Sequence, residues 1–141
     1  MGLKIILRDT TSQVVPNKID VLFYAAAATT AIAGIIHLVL GIPSNNQNSQ
    51  ILFVVGGIAQ IFWAIPTIRK WGNVWNLVGI GGTGVFVAIW VVTRIPENFI
   101  TGRGGRISEN GILTEVFQIA FIAIMIAILV LSKRNQIQKK P

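Results

Sequence analysis

The chain has 141 residues, of which 52% are hydrophobic and only 12% are charged, and its formal net charge is +7. A soluble domain carries roughly 25% charged residues, so this composition excludes an ordinary soluble protein. Cysteine is absent, which excludes disulfides, thiolate metal ligands and thiol nucleophiles. The basic residues lie at the ends of apolar stretches, where they indicate contact with phospholipid rather than nucleic acid.

Four apolar stretches follow one another along the chain, each close to the roughly 20 residues that a helix needs to cross a bilayer. They cover residues 21–42, 51–68, 74–93 and 112–131. We therefore predict an all-α fold, a four-helix transmembrane bundle over residues 20–132. The segment 1–19 would precede it and the basic tail 133–141 would follow it. A multi-pass protein of the cell membrane is the expected location.

The helix ends carry their own signals. Asp20 is placed to cap the first helix, and Pro66 is expected to kink or end the second. Trp71 and Trp75 flank the loop between helices two and three, and Trp90 lies near the opposite interface. This spacing is typical of aromatic residues at the two membrane surfaces.

The distribution of lysine and arginine predicts the orientation. If the helices alternate in direction, nine of the 12 basic residues lie on the side of both termini. They include Lys4, Arg8, Lys139 and Lys140. The positive-inside rule then predicts that both termini are cytoplasmic.

The other three basic residues, Arg94, Arg103 and Arg106, belong to the third loop region. This glycine-rich loop (95–111) has two interpretations. It is either a solvated, flexible connection, or a segment whose arginines hold phosphate or an acidic partner.

Small residues should form the contacts between helices, because lipid removes the hydrophobic drive for helix association. On the first helix these are Ala26, Thr30, Ala33 and Gly34; on the second, Gly56 and Gly57 one turn before Gln60; on the third, Gly79, Gly82 and Thr83. Gln60 is expected to hydrogen-bond a neighbouring helix. The same surfaces suit other membrane subunits or a homo-oligomer, which together with the lipid bilayer are the expected partners.

Three ionisable side chains from different helices are predicted to meet at one depth: His37, Arg94 and Glu115. Trp90 shares a helix face with Arg94, and Gln118 shares one with Glu115. Ionisable groups inside a membrane are costly, so we expect them to pair. Three interpretations stay open, namely a structural polar clasp, a ligand or proton site, and a metal site. No cofactor is expected, because His37 and Glu115 supply two ligands where zinc or copper sites generally have three or four.

Three features of the sequence carry a resemblance to known proteins. They are His37 near the end of helix one, the run 88–94 closing helix three, and Glu115 after residues 111–114. The chain resembles small, uncharacterised four-helix membrane proteins of archaea and bacteria. The resemblance covers residues 21–131 and implies a fold without an activity. The chain also resembles, more distantly, an accessory helical subunit of a membrane monooxygenase of ammonia-oxidising archaea.

Among function classes, the sequence favours a non-catalytic structural or accessory subunit, or an interaction protein. It lacks a nucleophile with an adjacent base, a phosphate-binding motif and metal-ligand spacing. A small transporter, or a ligand- or metal-binding membrane protein that uses the polar cluster, is the alternative. An enzyme ranks third, so we expect no enzymatic activity.

Overall fold

The computed structural model describes residues 17–102 and 104–138, with side chains up to Arg134. Within these residues the protein consists of helices without strands: α1 (Lys18–Gly41), α2 (Gln47–Ile68), α3 (Asn73–Val92) and α4 (Glu109–Gln138). All four helices are long and apolar enough to span a membrane. The predicted all-α, four-helix fold of a small multi-pass membrane protein is therefore confirmed.

Several sequence predictions fall on residues outside the described ranges. These are most of the segment 1–19, with Lys4 and Arg8, then Arg103 in the third loop, and Lys139 and Lys140 at the end of the tail.

The cap of α1 differs from the prediction. Asn17 rather than Asp20 precedes the helix, and its side chain accepts a hydrogen bond from the backbone N–H of Ile19. Asp20 lies inside the first turn, where a carboxylate favours the positive end of the helix dipole. It forms an ion pair with Lys70, which follows α2. Asp20 thus connects the start of α1 to the end of α2.

Pro66 lies within α2, two residues before the helix ends at Ile68. The reversal into α3 follows at once, through Lys70 with a φ of 51° and Gly72 with a φ of 110°. Only glycine adopts the second value without strain. The proline therefore sits in the last turn of α2, and the direction of the chain changes after it.

The helices alternate in direction. Asp20 and Lys70 meet at one end of the bundle, whereas His37 packs beside Phe53 and Phe86 at the other. Both ends of the described chain therefore lie at the same end of the bundle. α1 packs most extensively on α2 and then on α4, while α3 contacts α4 and, least of all, α2.

Glycines bring α1 and α2 together. A Cβ atom on Gly34 would lie 2.7 Å from the carbonyl oxygen of Gly57, and the reciprocal distance is also 2.7 Å. Neither position has room for any other side chain. Ala26, Ala33 and Thr30 are buried on the same helix, as is Gly56 on α2. Small residues thus let the two backbones approach closely.

The glycines of α3 behave differently from the prediction. Gly79 lies against the indole of Trp63, and Thr83 is buried, but a Cβ on Gly82 would meet no described atom within 4 Å. The same is true of Gly81 and Gly84. The reason is that α3 contacts its neighbours along one narrow face, where Asn76, Gly79 and Thr83 are buried. Gly82 lies off that face and is exposed.

An apolar core fills the half of the bundle near Asp20. It joins Phe23 and Ala26 of α1 to Phe121, Met125 and Ile128 of α4, and Trp63 and Ile80 pack against it. Every one of the first five side chains is at most 7% exposed. The other half of the bundle contains the buried residues His37, Glu115 and Gln118, although Thr67 and Asn76 are buried near the Asp20 end.

Candidate functional site

His37 and Gln60 form the buried centre of the polar half. Nδ1 of His37 in α1 lies 2.8 Å from Oε1 of Gln60 in α2. The backbone carbonyl of Gln60 also accepts a hydrogen bond from Thr30 Oγ1, which lies about two turns before His37 in α1. With Oε1 as the acceptor, Nδ1 carries the proton and Nε2 of His37 is left as an acceptor. Sequence reasoning placed His37 and Gln60 on inward faces but did not pair them.

A cavity of about 520 Å³ opens above this pair. Its floor is aromatic, since the His37 ring lies 5.5 Å from that of Phe53 and 6.1 Å from that of Phe86, centroid to centroid. Its rim comes from the two loops at this end of the bundle. The volume falls within the roughly 300–1,000 Å³ of small-molecule pockets. Its lining includes His37, Leu52, Phe53, Phe86, Trp90, Arg94 and Arg106.

A second cavity of about 260 Å³ adjoins the first. It shares His37, Arg94 and Arg106 with the larger cavity, and it extends to the first turns of α4 at Gly111 and Thr114. Both cavities therefore belong to one polar region that all four helices and the third loop enclose.

Arg94 is held in place from three sides. Its Cζ atom lies 4.9 Å from the ring centroid of Trp90, and its Nη1 donates a hydrogen bond of 2.8 Å to the carbonyl of Arg106. A Cβ on Gly105 would collide with Nη1, so a larger residue there would displace the end of the Arg94 side chain. Burial lowers the pKa of the Arg94 guanidinium, and the charge of Glu115 opposes this shift. An arginine keeps its positive charge under such shifts.

Glu115 and Gln118 lie beside the cavities rather than in their lining. Glu115 is 7% exposed and Gln118 is fully buried. Among the described residues, neither Oε2 of Glu115 nor either amide atom of Gln118 has a hydrogen-bond partner. Nor does Glu115 form an ion pair with any described side chain. His37, Trp90 and Arg94 are thus brought together in one lining, whereas Glu115 interacts with Arg94 only at longer range.

The third loop folds onto the cavity. Asn98 organises it, accepting hydrogen bonds from the backbone N–H groups of Ile100 and Thr101 and donating one to the carbonyl of Ile95. Asn48 of α2 donates to the carbonyl of Ile100, which ties the loop to a second helix. An asparagine that bonds the backbone two and three residues further on is a recognised turn signal, and the sequence analysis did not use it.

The chemistry of the site follows from its lining. Of the described residues that line either cavity, Arg94 and Arg106 are charged and none is a carboxylate. No three His, Asp or Glu side chains come together as metal ligands in the part of the chain that the structure describes. The arrangement therefore offers a positive rim above an aromatic floor. No protein family, curated protein or solved structure matches the chain.

Proposed function

We propose that this small membrane protein is a non-catalytic binding protein that holds a small molecule in the cavity beside His37. The observation that carries the proposal is the cavity itself, about 520 Å³ in volume and lined by aromatic and cationic side chains. Sites of this kind are mostly apolar, with a few placed polar groups that orient the ligand. His37, which Gln60 holds through Nδ1, is one such group.

The packing supports binding rather than transport. Beyond the His37–Gln60 pair, the bundle is filled by Phe23, Phe121, Met125 and Ile128. Secondary transporters usually have repeated halves and broken helices around a site at the membrane midplane. Here the cavity lies at one end and the four helices are continuous.

In this proposal the cavity faces away from the cytoplasm. It lies at the end of the bundle opposite to both ends of the described chain, and most of the basic residues belong to the side of the termini. The positive-inside rule supports this orientation.

A cavity-filling variant tests the proposal. Leu52 lines the cavity, whereas Leu77 of α3 is 59% exposed on the lipid-facing side of its helix. Native mass spectrometry of protein extracted from its own membranes should show a bound small molecule in the wild type and in Leu77→Trp. The Leu52→Trp variant should lose it. A wild type without any bound molecule, or a Leu52→Trp variant that keeps it, contradicts the proposal.

A second candidate function is that of an accessory subunit or interaction protein. The observation in its favour is α3, the least buried of the four spans, on which Gly81, Gly82 and Gly84 have no described atom within 4 Å of a Cβ position. In lipid, exposed glycines allow another helix to approach closely. The partner would be another membrane subunit or a second copy of this chain. A mass of one 15.3 kDa monomer in mild detergent would contradict this candidate.

A further inference from the structure

We infer that the ligand of the cavity is an anionic amphiphile, with its acidic head at Arg94 and Arg106 and its apolar body against Phe53 and Phe86. The inference rests on the proposed function, because it names the ligand class of the same cavity. Three features of the site support it: the charge of the rim, the fixed position of Arg94, and the orientation of the cavity along the membrane normal.

The charge of the rim is positive. Arg94 and Arg106 line both cavities, and within the described lining no acidic side chain opposes them. The planar guanidinium presents several N–H donors that match the geometry of a carboxylate or phosphate. A cationic ligand would meet repulsion here, and a neutral one would leave both arginines without a counter-ion in the lining of the cavities.

Arg94 is positioned in advance. An arginine that merely contacts phospholipid headgroups would be expected to lie exposed, as Arg69 does at the other end of the bundle. Arg94 instead packs on Trp90 and is bonded to the carbonyl of Arg106. Its Nε is buried without a hydrogen-bond partner in the described part of the chain. A donor fixed in this way binds an anion at a lower entropic cost.

The polarity of the cavity matches that of an amphiphile in a bilayer. The arginines and the loops form its outer end, and the aromatic residues of α2 and α3 form its inner end. The cavity thus lies between α2 and α3, the packed helices that contact each other least. Its polar groups are at the interface and its apolar groups are within the membrane.

Two sources supply this chemistry, a free single-chain acid and the acidic headgroup of a phospholipid. Both present an anion on an alkyl chain. The experiment distinguishes them by the lipid that surrounds the protein.

The test uses the full chain in phosphatidylcholine nanodiscs and a dodecanoate with a photoreactive diazirine in its alkyl chain. We expect cross-links, mapped by peptide mass spectrometry, to Leu52, Phe53 or Phe86. Unlabelled laurate should displace the probe at a concentration at least about tenfold lower than dodecylamine, because only the headgroup charge differs. Equal displacement by the two competitors would overturn the assignment of an anionic ligand.

Arginine variants test which groups hold the acid. Arg94→Gln and Arg106→Gln should each weaken laurate binding about tenfold, as the loss of a charge-assisted hydrogen bond predicts. Arg106→Gln keeps the backbone carbonyl that accepts from Arg94, so it remains informative if Arg94→Gln misfolds. Arg69→Gln is the matched control and should bind laurate as the wild type does. Unchanged binding in Arg106→Gln and in a folded Arg94→Gln would overturn the inference.

The remaining outcomes distinguish failure of the ligand inference from failure of the proposed function. If phosphatidylglycerol in the nanodisc displaces the probe, the source is a phospholipid headgroup. If the probe stays bound in the presence of phosphatidylglycerol, the source is a free acid. Each outcome supports the inference. Cross-linking outside the cavity overturns the inference. If a native small molecule still depends on Leu52, the proposed function survives that result. If the native molecule is also missing, both fail.

Discussion

The two halves of the bundle use their buried side chains differently, although the same helices build both. Near Asp20, the buried side chains of α1 and α4 are apolar, and Phe121, Met125 and Ile128 fill the interior. Near His37, the buried side chains of the same two helices include His37, Glu115 and Gln118. One half is closed by packing, and the other half contains two adjoining cavities.

The contrast raises the question of whether stability alone explains the buried polar residues near His37. A buried polar atom without a partner costs free energy, and more so inside a membrane where no bulk water can compensate. Gln60, Glu115 and Gln118 all have such atoms with respect to the described residues. Apolar side chains of similar volume would make the polar half at least as stable. Stability alone therefore does not explain these three residues; none of them lines a cavity, and the binding proposal rests on the cavities themselves.

The largest expected effect lies in the apolar half. Ile128 of α4 is 1% exposed, so Ile128→Ala leaves a cavity in the packed core. We expect the free energy of unfolding, measured by SDS titration in mixed micelles, to fall by about 3 kcal/mol. Ile126→Ala is the matched control on the same helix. Because Ile126 is 48% exposed, this variant should lose much less free energy of unfolding. Equal losses would mean that this half is not tightly packed.

A smaller effect is expected where the two halves meet. A methyl group on Gly34 would lie against the backbone of Gly57, so Gly34→Ala must push α1 and α2 apart. Overpacking of this kind should lower the free energy of unfolding by about 2 kcal/mol. It should also disturb the bond between His37 and Gln60, which a change in the His37 imidazole NMR signals would report.

The control for this prediction is Gly82→Ala on α3. No described atom lies within 4 Å of that Cβ position, so the substitution meets no steric resistance. We expect its stability to equal that of the wild type or to exceed it, since alanine is the better helix former. A loss as large as that of Gly34→Ala would show that α3 packs against a further helix through Gly82.

The fold could be predicted because the length of an apolar stretch determines whether a helix can cross a membrane. The helix ends could not, because polar residues extend helices beyond the lipid without raising hydropathy. α2 begins at Gln47, where Asn46 caps it through the N–H of Ser49, and α4 continues to Gln138. Neither extension changes the number of spans.

Part of the site could also be predicted. Counting residues along alternating helices placed His37, Arg94 and Glu115 at one depth, and the structure places His37 and Arg94 in one lining but leaves Glu115 outside it. The partner of His37 could not be predicted, because it depends on how α1 and α2 rotate against each other at Gly34. The roles of Phe53 and Phe86 were missed for the same reason, whereas Arg106 was already among the loop arginines that the sequence offered as contacts for an anion. The two phenylalanines become neighbours only through tertiary packing.

The smallest expected effects come from exchanging two side chains of similar shape on α4. Met125 and Gln118 are both fully buried, seven residues apart on one helix face. Met125→Gln buries an amide in the apolar half, and we expect it to lower the free energy of unfolding by about 1 kcal/mol. Gln118→Met removes an amide that has no hydrogen-bond partner within the described ranges, and it should change stability by less than about 0.5 kcal/mol or raise it.

The two variants should be compared in the same micelles by SDS titration. Each variant introduces the side chain that the other removes, and both positions are fully buried. A clear loss of stability in Gln118→Met would mean that its amide contributes a hydrogen bond to the folded state. A silent Met125→Gln would mean that the apolar half tolerates polar groups. Either result would remove the difference in stability between the two halves, and the binding proposal would then rest on the cavity alone.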